Sequence, residues 1–315
     1  MIIHFYGIFQ GAKLSRMIKK IPIGKVLLIT VLTLTGSVIV FMTPPQVTEG
    51  DVAGITTQPQ VRNGNYIVVH LDTMNLELKN GTTTIATLPV LSQGKPGSYY
   101  ETMGGVYNSD YKDPLHFSSI GHVYMPYSVH VFGNYFIHGI PYYPNGSPVS
   151  STYSGGCIRL SNENAKIVYD FIASGTPIII TRDTQYSFDP TPSLVGSSSL
   201  MASIQMTNLM TASISLEALT QDNTIVDTDG YHMTTRKTIL PRLLIEGDTL
   251  VAKLYAEDMG EDAFVSLMNQ KAQALGLTNT HFNDLTSPVT TSYEDLTRFM
   301  TYISTYKSYL RTVTQ

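Results

Sequence analysis

Cysteine is nearly absent from this chain. Of 315 residues only Cys157 is one, which excludes an intramolecular disulfide framework. Charge is also scarce. Charged side chains make up 14% and the net charge is −4, which excludes the basic surface a nucleic-acid binder needs. No charged residue interrupts Val26–Thr43, and eighteen apolar residues are about enough to cross a bilayer. Lys13, Arg16, Lys19, Lys20 and Lys25 precede that run, and the next charge is Glu49. The one-sided charge predicts a cytoplasmic N-terminus and an exported remainder. A membrane anchor is the reading, with a cleaved signal peptide as the alternative. Either Met1 or Met17 serves as a start for such a segment. Exported proteins use cysteines in pairs, so a lone exported cysteine points to a used thiolate.

What is present around that cysteine is Tyr153-Ser154-Gly155-Gly156-Cys157-Ile158-Arg159-Leu160, with His138-Gly139 sixteen residues before Ser154. A cysteine after two glycines, with a histidine that strands can bring beside it, fits a nucleophile and base. A small buried hydrophobe is the other reading of a free cysteine. His116, His122 and His130 are nearby in sequence but show no tight ligand spacing, so neither a metal nor another cofactor is expected.

Residues 44–64 are rich in Pro, Thr, Gly and Gln and read as a linker. From Tyr66 the pattern turns to strands. These are Tyr66–Val69, Leu76 and Leu78, and Ile85–Val90, with an Asn80-Gly81 hairpin turn. Val123–Met125, Val129–Phe132 and Tyr135–His138 follow as strands, the last two joined at Gly133-Asn134. Ser161 can cap a short helix to about Ala173, and Pro177–Thr181 is a final strand. Residues 183–200 read as a second linker. Helices are then predicted over Met201–Leu219, Leu240–Ala256 and Ala263–Leu275. A fourth opens at Ser292 with Asp295, in the manner of a capping box, and runs from Tyr293 to about Tyr306.

The string from His138-Gly139 to Ser154-Gly155-Gly156-Cys157-Ile158-Arg159 resembles the active-site signature of the YkuD-type L,D-transpeptidases, and the likeness extends from about Asn65 to Arg182. Many members have His where this chain has Gly155, and Thr102-Met103-Gly104-Gly105 stands where relatives often have Thr-Pro-x-Gly. The resemblance implies a mainly-β mixed-sheet domain with Cys157 as nucleophile and His138 as base and acid. It implies that the Gly139 carbonyl orients the imidazole. With it go Ser154 as a loop or substrate contact and the amides of Gly156 and Cys157 as oxyanion donors. Arg159 would meet a substrate carboxylate or make a salt bridge under the loop. Gly155 and Tyr142 complete the substrate-binding set. The pairs Tyr99-Tyr100 and Tyr142-Tyr143 read either as the lining of a flap or as surface turn aromatics. The implied substrate is a peptidoglycan stem peptide, and the implied product a 3→3 cross-link formed through a thioacyl-enzyme without a cofactor. An L,D-carboxypeptidase, with water as acceptor, and a non-catalytic wall-binding or scaffold protein are the alternatives.

The tail has a second resemblance. Leu243–Asp248, Phe264–Asn269 and Leu275–Phe282 look like the helical part of serine D-Ala-D-Ala carboxypeptidases. Over that family's motifs fall Gln205, Asn208 and Glu246-Gly247-Asp248, and no Lys-Thr-Gly follows before Gln315. The string Ser304-Thr305-Tyr306-Lys307 fits Ser-x-x-Lys only by chance. The expectation is therefore an α+β multidomain chain. Residues 1–43 form the basic segment and transmembrane anchor, 44–64 a linker and 65–182 the catalytic domain. Residues 183–200 form a second linker, and 201–315 a helical domain for peptide binding, a cell-wall protein partner or support. The expected location is the cell membrane, with the catalytic domain on its outer side.

Overall fold

The computed structural model describes residues 31–34, 37–40, 63–182, 199–201, 204–218, 224–226 and 233–313. Residues 1–55 and 56–315 are separate compact units. In the first, β1 (Val31–Leu34) pairs antiparallel with β2 (Ser37–Val40), Val31 opposite Val40. These residues were expected inside a membrane-spanning helix and form strands instead. The segment is dominated by Val, Ile and Thr, whose branched side chains suit a pleated strand better than a helix. The rest of Val26–Thr43, the basic segment before it and residues 44–62 lie outside the described residues. No helix among the described residues is long and apolar enough to cross a membrane.

The second unit begins with β3 (Asn65–His70), β4 (Asn75–Asn80) and β5 (Thr83–Pro89), an antiparallel meander. Gly81, at φ +56, makes the expected hairpin turn between β4 and β5. Then come β6 (Gly105–Asn108), β7 (Lys112–Ser118), β8 (Val123–Phe132) and β9 (Tyr135–His138). After a long loop follow β10 (Ile158–Arg159), helix α1 (Asn162–Phe171) and β11 (Pro177–Thr181). Ser161 caps α1, its hydroxyl accepting from the Asn164 amide.

One sheet has the order β5-β4-β3-β11-β6 and the other β10-β9-β8-β7. The last strand, β11, inserts at the centre of the first sheet, parallel to β3 and antiparallel to β6. The apolar runs Tyr66–Val69 and Ile178–Ile180 are accordingly buried along their length, as central strands are. The two strands expected over Val123–Met125 and Val129–Phe132 are one. β8 passes through Pro126 and takes a left-handed residue, Tyr127 (φ +52), on the way.

The helical region holds β12 (Ser199–Met201), α2 (Ile204–Ala218), β13 (Thr224–Val226), β14 (Met233–Thr235) and α3 (Arg236–Pro241). A π-helical turn, Arg242–Glu246, leads to α4 (Thr249–Ala256) and α5 (Glu261–Ala274). β15 (Thr290–Ser292), α6 (Tyr293–Tyr306) and α7 (Ser308–Val313) complete it. The helix predicted over Leu240–Ala256 is broken because Gly247 turns left-handed (φ +67) and Asp248 caps a new start. The Ser292 hydroxyl accepts from the Asp295 amide, but the Asp295 carboxylate turns away to accept from Asn279 N and Thr280 Oγ1. Residues 183–198 of the expected second linker lie outside the described residues, and Ser199 and Leu200 belong to β12.

Helix α2 is buried all round. Met210, Thr211, Ser213, Ile214, Leu216 and Glu217, spread round its circumference, are all enclosed. That is the pattern of a central helix. Its side chains join Val69, Val129, Ile137 and Ile178 of both sheets, and Phe264 and Tyr302 of the other helices, in a single cluster. The sheets and the helices thus share one core.

Candidate active site

Register brings the cysteine to the histidine. β10 lies parallel to β9, with Ile158 opposite Ile137 and Arg159 opposite His138. Cys157, one residue before the strand, therefore falls level with Phe136, two residues before His138 on β9. Gly133, at φ +54, makes the β8–β9 turn that delivers β9 to this edge. Cys157 and His138 line one cavity of about 130 Å³ with Asn134, Ser154, Gly155 and Arg159, walled by Val123, Met125 and Pro141.

His138 is buried, and its Nδ1 donates to the Gly139 carbonyl at 2.6 Å. That bond fixes the tautomer and leaves Nε2 as the acceptor. Burial lowers the imidazole pKa to about 4, with Arg159 and His116 adding to the effect and the Gly139 bond opposing it. Burial pushes the Cys157 thiol up, while the Phe136 N–H and the Arg159 charge pull it down. Both groups are therefore neutral at rest. The thiol is directed at the Asn134 carbonyl, 3.7 Å away. Gly139 itself is tied in place, its amide donating to Pro126 O at 2.8 Å.

The loop before Cys157 is held from inside. Ser154 Oγ donates to the Cys157 carbonyl at 2.6 Å and accepts from the Gly156 amide at 3.0 Å. Ser154 thus binds the turn together, and it also reaches the cavity wall. The Gly156 amide, expected as an oxyanion donor, is engaged by that hydroxyl. Gly155 and Cys157 line the cavity and Gly156 does not. Gly156 has another role: φ is +115, and a Cβ there would collide with the Tyr135 ring. Its carbonyl accepts from Thr102 Oγ1 at 2.9 Å, and Thr102 in turn accepts from the Gly94 amide at 2.7 Å.

Arg159 donates through Nη1 to Ser151 O and Oγ, at 3.1 and 3.0 Å. Among the described residues no carboxylate lies within ion-pair distance of it, so the salt bridge under the loop is not formed. Its buried Nε has no partner. Tyr142 is not on the cavity wall. It pairs with Tyr124 through the backbone and stacks on its ring at 5.6 Å, behind the wall. Tyr99 is buried edge-on against Tyr309 of α7, so it lines no flap. His116 stacks on Phe136, and His130 bonds Asp110 at 2.5 Å and the Gly133 carbonyl at 2.9 Å. No group of three His, Cys, Asp or Glu side chains is gathered among the described residues.

Sequence reasoning did not find Asn134, Tyr135 and Phe136 as neighbours of the sulfur. Their contacts use backbone atoms and a ring face, which leave no motif. Thr102 did leave a signal, as the first residue of the Thr-Met-Gly-Gly string. Ser304 is exposed and bonds the Met300 carbonyl, while Lys307 is buried elsewhere. The two do not form a catalytic pair.

A thiol beside an oriented imidazole, on a strand edge with glycine-rich backbone around it, is an arrangement for acyl chemistry. Residues 64–180 match the model of the YkuD family, described as the L,D-transpeptidase catalytic domain. A fused Zn-dependent amidase/peptidase/peptidoglycan-binding-domain protein of Clostridium acetobutylicum is 28% identical, with a TM-score of 0.32 over 37% of this chain and 51% of its own. An L,D-transpeptidase of Mycobacterium smegmatis is 24% identical, with 0.31 over 37% and 58%. One of Stackebrandtia nassauensis is 20% identical, with 0.35 over 42% and 64%. The chain thus spans from about half to just under two thirds of the length of these solved structures. No curated protein matches the chain. The family match ends at residue 180, and the likeness of the helical region to serine carboxypeptidases gains no support from it.

Proposed function

We propose that the chain is a peptidoglycan L,D-transpeptidase that works through a Cys157 thioacyl-enzyme on the outer side of the membrane. One observation carries the reading. Within the family-matched segment, the parallel β9–β10 register sets Cys157 and His138 into one cavity.

Cys157 attacks the carbonyl of the third, L-configured residue of a stem peptide. A neutral thiol and a depressed imidazole do not exchange a proton at rest. The proton moves to His138 Nε2 as the C–S bond forms. His138 then returns it to the leaving nitrogen as the C–N bond breaks and D-Ala departs. An amine of a second stem attacks the thioester as its proton passes to His138 Nε2; the C–S bond breaks, His138 returns the proton to the sulfur, and the 3→3 link is closed. The amides of Cys157 and Gly155 are the donors for the oxyanion, and removing one such donor in other enzymes costs on the order of 3 kcal/mol. Arg159, which lines the cavity, meets a substrate carboxylate.

The test is intact mass spectrometry of the chain from about residue 50 with a tetrapeptide stem or a carbapenem. The expected result is a covalent adduct that Cys157→Ala abolishes. Folded, reduced protein that forms no adduct with either compound would overturn the reading. Analysis of the stem products separates cross-linked dimer from trimmed monomer.

A further inference from the structure

Helix α2 ends against the catalytic loop. The last four carbonyls of any helix lack intrahelical partners and need donors from elsewhere. Here two are met by side chains from the start of β9. Tyr135 Oη donates to the Leu216 carbonyl at 2.9 Å, and Asn134 Nδ2 donates to the Ala218 carbonyl. Gly133, at the turn, packs so closely on Ala218 that a Cβ there would collide with it. Residues 133–135 are therefore pinned to the end of α2.

The same short segment handles the sulfur. The Asn134 carbonyl accepts from the Cys157 thiol, and the Phe136 N–H stabilises its thiolate. The Tyr135 ring lies against Gly156, where it occupies the space of a side chain. Tyr135 thus has its ring on the loop and its hydroxyl on the helix. The phenol keeps its proton, since burial and the nearby Glu217 raise it well above its ordinary range. It remains a donor at any working pH.

A second brace comes from the same direction. Thr102 holds the Gly156 carbonyl. Its neighbour Glu101 is fixed from the helical region, where Lys307 Nζ donates to its carbonyl at 2.7 Å and Ser308 Oγ to its carboxylate at 3.2 Å.

We propose that the helical region is a positioning element of the catalytic loop, and that Tyr135 and Asn134 transmit the end of α2 to Cys157. The inference rests on the reading of Cys157 as the nucleophile. It assigns to the helical region a task inside the active site, distinct from binding a partner or a second substrate.

The experiment compares the unmodified chain with Tyr135→Phe and Asn134→Ala. Tyr135→Phe keeps the ring against Gly156 and removes only the bond to Leu216. Asn134→Ala, at a half-buried turn, removes the other bond and serves should the buried variant fold poorly. Two readouts are taken on folded protein. One is the pH dependence of Cys157 alkylation by iodoacetamide, and the other is the rate of acylation by a carbapenem. Loosening the segment withdraws the fixed Phe136 N–H. The apparent thiol pKa is therefore expected to rise by about half a unit to one unit, and acylation at neutral pH to slow about tenfold. Alkylation curves that superimpose on the unmodified chain, with acylation within twofold, would overturn the proposal, even if thermal stability fell. The two readings fail separately. A chain that never acylates, yet shows the shifted alkylation curve in both variants, keeps the positioning role and loses the transpeptidase one.

Discussion

At the residue scale, the proposed chemistry depends on two groups that rest uncharged. The Cys157 thiol is raised by burial and the His138 imidazole lowered to about 4. Alkylation of Cys157 should therefore climb steadily through the alkaline range, with no plateau near neutrality. A resting thiolate–imidazolium pair would instead give a reactive plateau at neutral pH that falls off in acid, and a titration with iodoacetamide separates the two. His138 also links stability to pH. It takes up its proton near 6.5 when unfolded and only near 4 when folded. Its contribution is complete above pH 6.5 and is lost as the pH falls towards 4, to an extent of roughly 3 kcal/mol. Urea midpoints at pH 7 and pH 4 should differ in that direction, and His138→Gln should flatten the difference. That Cys157 and His138 come to one cavity was legible in the sequence, because a fixed spacing between two chemically rare residues survives without any structure. Asn134 and Tyr135 were not. Their role exists only where β9 meets a helix eighty residues further along the chain.

At the scale of elements, the turn at Gly156 is the most constrained. A left-handed φ and a ring in the place of a side chain both act against any substitution. Gly156→Ala should cost about 2 kcal/mol or more, combining backbone strain with overpacking. Chemical denaturation measures it, and acylation should fall with it. The strands that were read correctly, β3 to β5, β9 and β11, carry apolar runs or an Asn-Gly turn. Those that were missed have physical reasons. β7 reads Lys-Asp-Pro-Leu-His-Phe-Ser, an edge strand with few buried side chains and a proline. β6 is only four residues long. Pro126 divided β8 on paper because proline normally ends a strand, but here a left-handed Tyr127 lets the chain continue. Within the run over Val26–Thr43, the described residues 31–34 and 37–40 pair as strands, because hydrophobic length alone does not distinguish a helix from a pair of strands.

At the largest scale, within residues 56–315, the buried side chains of sheets and helices share one core. Lys271 Nζ lies 2.7 Å from Glu217 Oε2 and 3.3 Å from the Gly104 carbonyl, and it also bonds the Tyr107 hydroxyl. Lys307 Nζ is 3.7 Å from Glu217 and reaches Glu101. Glu217, Lys271 and Lys307 are all buried. Removing the shared carboxylate leaves both lysines uncompensated, at a cost of about 3–5 kcal/mol. Glu217→Leu should lower the unfolding free energy measured in urea by that amount. Glu217→Leu combined with Lys271→Met should recover part of it, since one of the two orphaned charges is then gone. A chain ended at Arg182 should be insoluble, because Tyr107, Phe132 and Tyr135 would lose their cover; a sedimentation assay of the expressed fragment decides it.

The place of β11 has a consequence for how the molecule comes into being. It is the last strand of the sheet to be made, yet it occupies the middle, between β3 and β6. Until residue 181 has emerged, β3 lacks a neighbour on one side and β6 has no sheet to join. The central pairing is long-range and parallel, so closing it carries a large loop entropy and is intrinsically slow. The sheet therefore stays open until its last strand has been synthesised, and Cys157 emerges while that sheet is still incomplete.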